Sequence, residues 1–175
     1  MKPVVLGVYH TIHWAGINQF YTYLKGCVKP NHKVAIENPV NLEFLTKQTN
    51  ILNCPQYRFF YDTCALLENL GAQTKSVEDE RAYRLQVKRQ DWLKFEGREA
   101  LINDWIYNKL TVYRSISHLK LASDCNFLIT GIFHAYHLEK MGYPAVRLLA
   151  EISDSEKRIE DKWIAKYGID LQKPF

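Results

Sequence analysis

The sequence predicts an α/β fold, a mostly parallel sheet flanked by helices. Short apolar runs alternate with longer stretches of helical periodicity, the pattern of successive βαβ units. Glycine or proline punctuates most changes of period. The 175 residues are 47% hydrophobic and 24% charged, ordinary proportions for one domain with a sizeable core.

Pro3–Tyr9 (PVVLGVY) is β-branched and apolar enough for a buried first strand. Ile17, Phe20, Tyr21 and Leu24 then recur at helical spacing, and Gly26 is expected to close that helix. Lys33–Ile36 (KVAI) reads as a second buried strand, ended by Glu37-Asn38-Pro39. Phe60, Cys64, Leu67 and Leu70 mark a helix over 57–70 with Gly71 as its C-cap. Gln73–Val77 fits a weaker strand. The charged and apolar section from about Glu80 to Leu110 fits one or two helices. Asn126–Ile132 (NFLITGI) is the strongest strand signal. A short helix follows it and stops at Gly142-Tyr143-Pro144, before a last strand over Ala145–Leu149. From about residue 151 the chain predicts a polar helical tail docked outside a single domain spanning 1–175.

Composition narrows the function. Net charge is +4 and the pI about 8.8, yet no dense Lys/Arg run is present. The stretch KSVEDERAYRLQVKRQ (75–90) mixes both signs like a solvated helix face. Nucleic acid is therefore not an expected partner. Cys27, Cys54, Cys64 and Cys125 show no CxxC spacing, so neither a zinc knuckle nor a disulfide framework is indicated. The N-terminal apolar run is too short for a signal peptide, and none approaches the roughly 18 residues of a membrane span. These features predict a cytoplasmic protein with reduced thiols. Eleven Tyr and four Trp fit either a large aromatic core or a Tyr-lined cleft, and Trp14 and Trp163 are candidates for a homodimer contact.

The most informative pattern occurs twice. LGVYHTIHWAG begins at Leu6 and TGIFHAYHLEKMG at Thr130, and both contain Gly, an apolar residue, an aromatic, His, two residues, His. In each, the first histidine is predicted where a strand gives way to a helix. Open parallel sheets bind ligands at the carboxyl ends of their strands, so His10 and His134 are placed where a site would form, with Glu37 on the same edge. Gly7 and Gly131 allow close backbone approach or an unusual turn. Histidines at helix N-termini stay neutral near pH 7, as metal ligation or general-base action requires. His13, with Trp14, Ile17, Tyr21 and Leu24, is predicted on the helix face that packs on the sheet, and His137 similarly with Leu138 and Met141. Each is a metal ligand, an orienting partner behind a ligand, or a structural histidine. Arg98 precedes Leu101 and Ile102 by three and four residues and continues an apolar stripe with Trp105 and Ile106. It pairs with a carboxylate, binds a substrate anion, or reaches past the core edge to water.

The ordered set Gly7–His10 (LGVYH), Glu37 (VAIEN), Arg98 (EGREALI) and Gly131–His134 (TGIFH) resembles the TIKI/TraB/ChaN/erythromycin-esterase-like superfamily. The resemblance spans roughly residues 4–149, with four short specific islands. It implies a metal-dependent hydrolase cleaving a peptide, ester or amide bond of a peptide or small-molecule substrate. His10 and His134 would hold a divalent metal (Mn, Co, Zn or Fe) or act as base. Glu37 would ligate the metal or polarise water, and Arg98 would fix Glu37 or stabilise an oxyanion. His13 and His137 lie outside the family's pattern. The alternatives are a non-catalytic module holding a metal, a haem or a small anion, and an interaction protein whose histidines are structural.

Overall fold

The structure, a computed structural model, describes residues 2–37, 54–79, 81–83, 85 and 98–167, with backbone alone over 98–107. In chain order it comprises β1 (Val4–Val8), α1 (Ile17–Cys27), β2 (Lys33–Ile36), α2 (Pro55–Asn69), β3 (Gln73–Ser76), α3 (Arg98–Leu121), β4 (Phe127–Gly131), α4 (Ile132–Lys140), β5 (Val146–Leu148) and α5 (Asp154–Tyr167). The five strands form one parallel sheet in the order β3-β2-β4-β1-β5. The α/β fold class is thus as the apolar runs predicted. No described helix is long and apolar enough to cross a membrane.

The strands are apolar throughout because both sheet faces are covered. Leu6, Val8, Val34, Ile36, Phe127 and Ile129 point to one side, where Phe20 and Leu24 of α1 and Phe59, Phe60 and Leu67 of α2 cover them. Val5, Ala35 and Leu128 alternate to the other side, against Leu119 of α3 and Ala135 and Leu138 of α4. The phenylalanines belong to this core. A third cluster, Ile132, Tyr136 and Ile152 with Ile164 packed on it, seats α5 on α4.

Register matters most at the carboxyl edge. Val8 of β1 pairs with Gly131 of β4, and Ile36 of β2 pairs with Ile129. Glu37 N–H donates to the Ile129 carbonyl at 2.8 Å, extending the ladder one residue past β2. The insertion of β4 between β1 and β2 therefore brings the ends of three strands together.

Two helix boundaries differ from expectation. Gly26 lies inside α1, whose last turn passes directly into extended backbone at Val28. Gly71 and Gly142, by contrast, adopt the left-handed conformation (φ 75° and 87°) just past α2 and α4, as terminating glycines do. The helix around Arg98 continues past Leu110 to Leu121. Val112, Arg114, Ser115, Ile116, His118 and Leu119 in its second half are all buried. Polar Arg114, Ser115 and His118 lie on the buried side while Tyr113 and Leu121 are exposed, so the helix leaves no amphipathic signature.

Candidate metal centre

Glu37 is the hub. It is buried at 6% exposure, just beyond β2. Its Oε2 accepts from the Thr130 hydroxyl at 2.6 Å and the Gly131 N–H at 2.7 Å. Its Oε1 accepts from Arg114 Nη2 at 3.0 Å. Burial works against the charge, but the facing imidazoles of His134 and His118 outweigh it and hold this carboxyl well below the usual range.

A second carboxylate, Glu78, stands at the neighbouring strand end, two residues past β3. Arg114 from α3 grips it with two bonds, Nε to Oε1 at 3.0 Å and Nη2 to Oε2 at 2.6 Å. Burial opposes the charge of Glu78 too, and the bonds from His118 and Arg114 lower its pKa regardless. One guanidinium thus bridges two buried carboxylates, leaving formal negative charge over. The Arg114 side chain is also stacked against Tyr83, 5.3 Å from the ring centroid.

Two histidines face this carboxylate pair. His118 sits one helical turn after Arg114 on α3. Its Nε2 meets Glu78 Oε1 at 3.2 Å, while its Nδ1 lies 3.3 Å from Thr130 Oγ1 and 3.8 Å from Glu37 Oε2. His134 lies in the first turn of α4. Its Nε2 is 3.4 Å from Glu37 Oε1 and its Nδ1 is 2.8 Å from Ser115 Oγ. Burial, the largest influence, pushes His134 down to about 4 against the upward pull of Glu37. It is therefore neutral near pH 7, with a lone pair to offer.

His10 borders the same space from the β1 side. Its ring stacks on Phe59 (centroids 5.5 Å apart) and tilts over Phe60 (4.8 Å). Its Nε2 is buried with no hydrogen-bond partner among the described residues. Burial lowers its pKa, against the pull of Glu37. Gly131 shows how close these groups are. A Cβ there would meet Glu37 Oε2 at 3.4 Å, His10 Cε1 at 3.6 Å and His134 Cδ2 at 3.6 Å. Gly7 has a different purpose. A Cβ on it would come within 2.6 Å of Ala135 Cβ, so the bare glycine lets α4, which carries His134, lie directly on β1.

The structure therefore brings His10, Glu37 and His134 to one edge. His13 does not join them. Residues 9–16 form a loop and α1 begins only at Ile17, so His13 is exposed on that loop and not on a packed helical face. For the same reason His10 stands in the loop, not at a helix start. Trp14 folds back over Gly16, where a Cβ would lie 2.6 Å from the indole. His137 is fully buried behind His134, with Nδ1 3.0 Å from Ser115 Oγ and Nε2 2.5 Å from Glu160 on α5. Its partners are a hydroxyl and a carboxylate, in the orienting position. Arg98 is the first residue of α3, and its side chain lies outside the described residues, as do those of Leu101, Ile102, Trp105 and Ile106. The arginine seen on Glu37 is Arg114. Sequence reasoning missed Glu78, Arg114, Ser115, His118 and Thr130. One signal was available in RSISH, which puts Arg114 and Ser115 on the same helical face as His118.

Glu37, His118 and His134 each offer one donor atom, and all three atoms lie within 4.8 Å of one another. Donors on a tetrahedral centre with bonds of about 2.1 Å are about 3.4 Å apart, the separation of His134 Nε2 from Glu37 Oε1. Each imidazole is engaged through its other nitrogen, by Glu78 or by Ser115, the outer support that metal-binding histidines use. Glu37 Oε2 is occupied by two donors, which leaves Oε1 as the ligating oxygen. Two imidazoles and one carboxylate suit zinc or ferrous iron with coordination positions left open. The donor set is thus compatible with a divalent cation. No protein-family model matches the chain, and no curated protein or solved structure matches it.

Proposed function

We propose that this protein is a metal-dependent hydrolase of the TIKI/TraB-like type, cleaving a peptide, ester or amide bond. The observation that carries the reading is the buried Glu37–His118–His134 donor set, in which both imidazoles are braced from behind. When bound, a divalent cation would acidify a coordinated water and polarise the scissile carbonyl. Arg114, Thr130 and the Gly131 N–H hold the Glu37 carboxylate in one orientation. His10, neutral near pH 7 and with its Nε2 uncommitted, is the group available to take a proton and return it to the leaving group. Phe59 and Phe60 keep water from its ring faces.

A non-catalytic metal-binding module is the second reading. It is favoured by the burial of Glu37, His118 and His134, none more than 7% exposed, which would slow exchange. The surplus negative charge argues against a small anion held directly.

Elemental analysis of purified protein tests the metal, with thermal shifts in Mn²⁺, Co²⁺, Zn²⁺ and Fe²⁺, repeated on His118→Ala/His134→Ala. The expected result is near-stoichiometric metal, or a shift that disappears in the double variant. A panel of peptides, esters and amides then separates the readings. Turnover lost in His10→Ala while metal is retained supports the hydrolase. Metal retained with no turnover on any substrate supports the module. No metal and no shift overturns both.

A further inference from the structure

Behind His134 runs an unbroken polar chain: His134 Nδ1 to Ser115 Oγ at 2.8 Å, Ser115 Oγ to His137 Nδ1 at 3.0 Å, and His137 Nε2 to Glu160 Oε2 at 2.5 Å. Ser115 and His137 are fully buried, and Glu160 reaches in from α5. We infer that Glu160, on the C-terminal helix, sets the tautomer of His134 through His137 and Ser115, so that Nε2 of His134 is presented bare to the pocket.

A carboxylate only accepts, so at 2.5 Å Glu160 requires the N–H of His137 to be on Nε2. A ring bearing that single proton accepts at Nδ1. Ser115 has one hydroxyl proton and three polar neighbours, the third being the Thr111 carbonyl at 3.0 Å. If the proton went to His134, two lone pairs would face each other at 3.0 Å between Ser115 and His137. With the proton turned to His137, the serine oxygen has only lone pairs for His134. His134 must therefore donate from Nδ1. Turning the proton to Thr111 would leave the same two lone pairs facing each other between Ser115 and His137, so the proton on the His137 side is the arrangement that satisfies the chain. The Nε2 of His134 then carries a lone pair, 3.4 Å from the acceptor Glu37 Oε1. Two acceptors at that distance favour a cation between them. α5 is thereby a positioning element of the site as well as a cover for α4.

This inference deepens the metal reading and rests on it for its consequence, but the tautomer is measurable in metal-free protein. Long-range ¹H–¹⁵N correlation spectra of histidine-labelled protein, assigned with His134→Gln, report which ring nitrogen bears the proton. The variants are Glu160→Ala and Ser115→Ala, each usable if the other fails to fold. Asp161→Ala is the control, because Asp161 also ties α5 to α4, through the Tyr136 hydroxyl at 2.8 Å, but stands outside the chain. Wild type and Asp161→Ala are expected to hold His134 as the Nδ1–H tautomer. Glu160→Ala and Ser115→Ala are expected to average between tautomers, and to bind Co²⁺ about 10- to 100-fold more weakly. An Nε2–H tautomer in wild type overturns the inference, and so does an unchanged tautomer in both variants. Equal Co²⁺ affinity in wild type and both variants overturns it too and leaves the metal reading standing. Wild type that shows the expected tautomers and binds no metal ion overturns the metal reading alone.

Discussion

Arg114→Met removes the one cation that bridges two buried carboxylates and keeps most of the side-chain volume. The guanidinium side chain is 8% exposed and its partners Glu37 and Glu78 are 7% and 3% exposed, so little water can replace it. Three bonds go at once, at 3.0, 3.0 and 2.6 Å. The larger effect is on what stays behind, two ionised carboxylates in a buried site without their counter-charge. Breaking buried pairs of this kind costs about 3–5 kcal/mol, a large share of the ~5–15 kcal/mol that holds a typical domain together. We expect that loss near pH 7.5, read by urea unfolding with tryptophan fluorescence. Glu78→Gln in the same background removes one of the stranded charges and should recover at least ~1 kcal/mol. The sign of the pH dependence follows from the depressed carboxyls. Both are held below their unfolded pKa of about 4.3, so their stabilisation is present above that value and lost as pH falls through the lower folded values. In the variant the carboxyls rise and can take up a proton, so its deficit against wild type narrows as the medium is acidified. A loss below about 1 kcal/mol at pH 7.5 would show that the pair is not buried as described. Failure of Glu78→Gln to recover any stability would refute the stranded-charge account.

Gly7→Ala forces a Cβ to within 2.6 Å of Ala135 and should destabilise by about 1–3 kcal/mol, seen as a lowered Tm; an unchanged Tm would mean α4 does not lie directly on β1. Gly131→Ala meets only ordinary contacts, at 3.4–3.6 Å, and its φ of −56° suits any residue. It should fold normally but fill the space between His10, Glu37 and His134, so Co²⁺ binding weakens; full affinity would put the ion elsewhere. Burial holds His134 at about 4, below the unfolded value of about 6.5. Its contribution is therefore complete above pH 6.5 and fades as pH falls toward 4, by about 1 kcal/mol per pH unit at the steepest. Unfolding curves of metal-free protein across that range should show the slope, and a slope no shallower in His134→Asn would assign it to other groups.

The sheet was legible in the sequence because a buried parallel strand must be apolar on both faces. Val4–Val8, Lys33–Ile36 and Phe127–Gly131 are continuous runs of that kind, and turn residues bound them. The paired glycine–histidine motifs were visible for a related reason, since each follows its strand at once. Half of the candidate centre was not legible. His13 was misplaced because a loop, not a helix, follows β1, and nothing in the local periodicity distinguishes the two before Ile17. Arg114, Ser115 and His118 are polar residues on the buried side of a helix that exposes Tyr113 and Leu121, so its periodicity sets no clear phase. Glu78 follows a weak edge strand and acquires meaning only from Arg114. The strand order had the final influence. Local sequence says that β1, β2 and β4 are strands, but hydrogen-bond register across the sheet places β4 between the other two. That placement is a long-range choice, decided by which faces α1, α2, α3 and α4 cover together. It alone sets His134 3.4 Å from a glutamate 97 residues earlier in the chain.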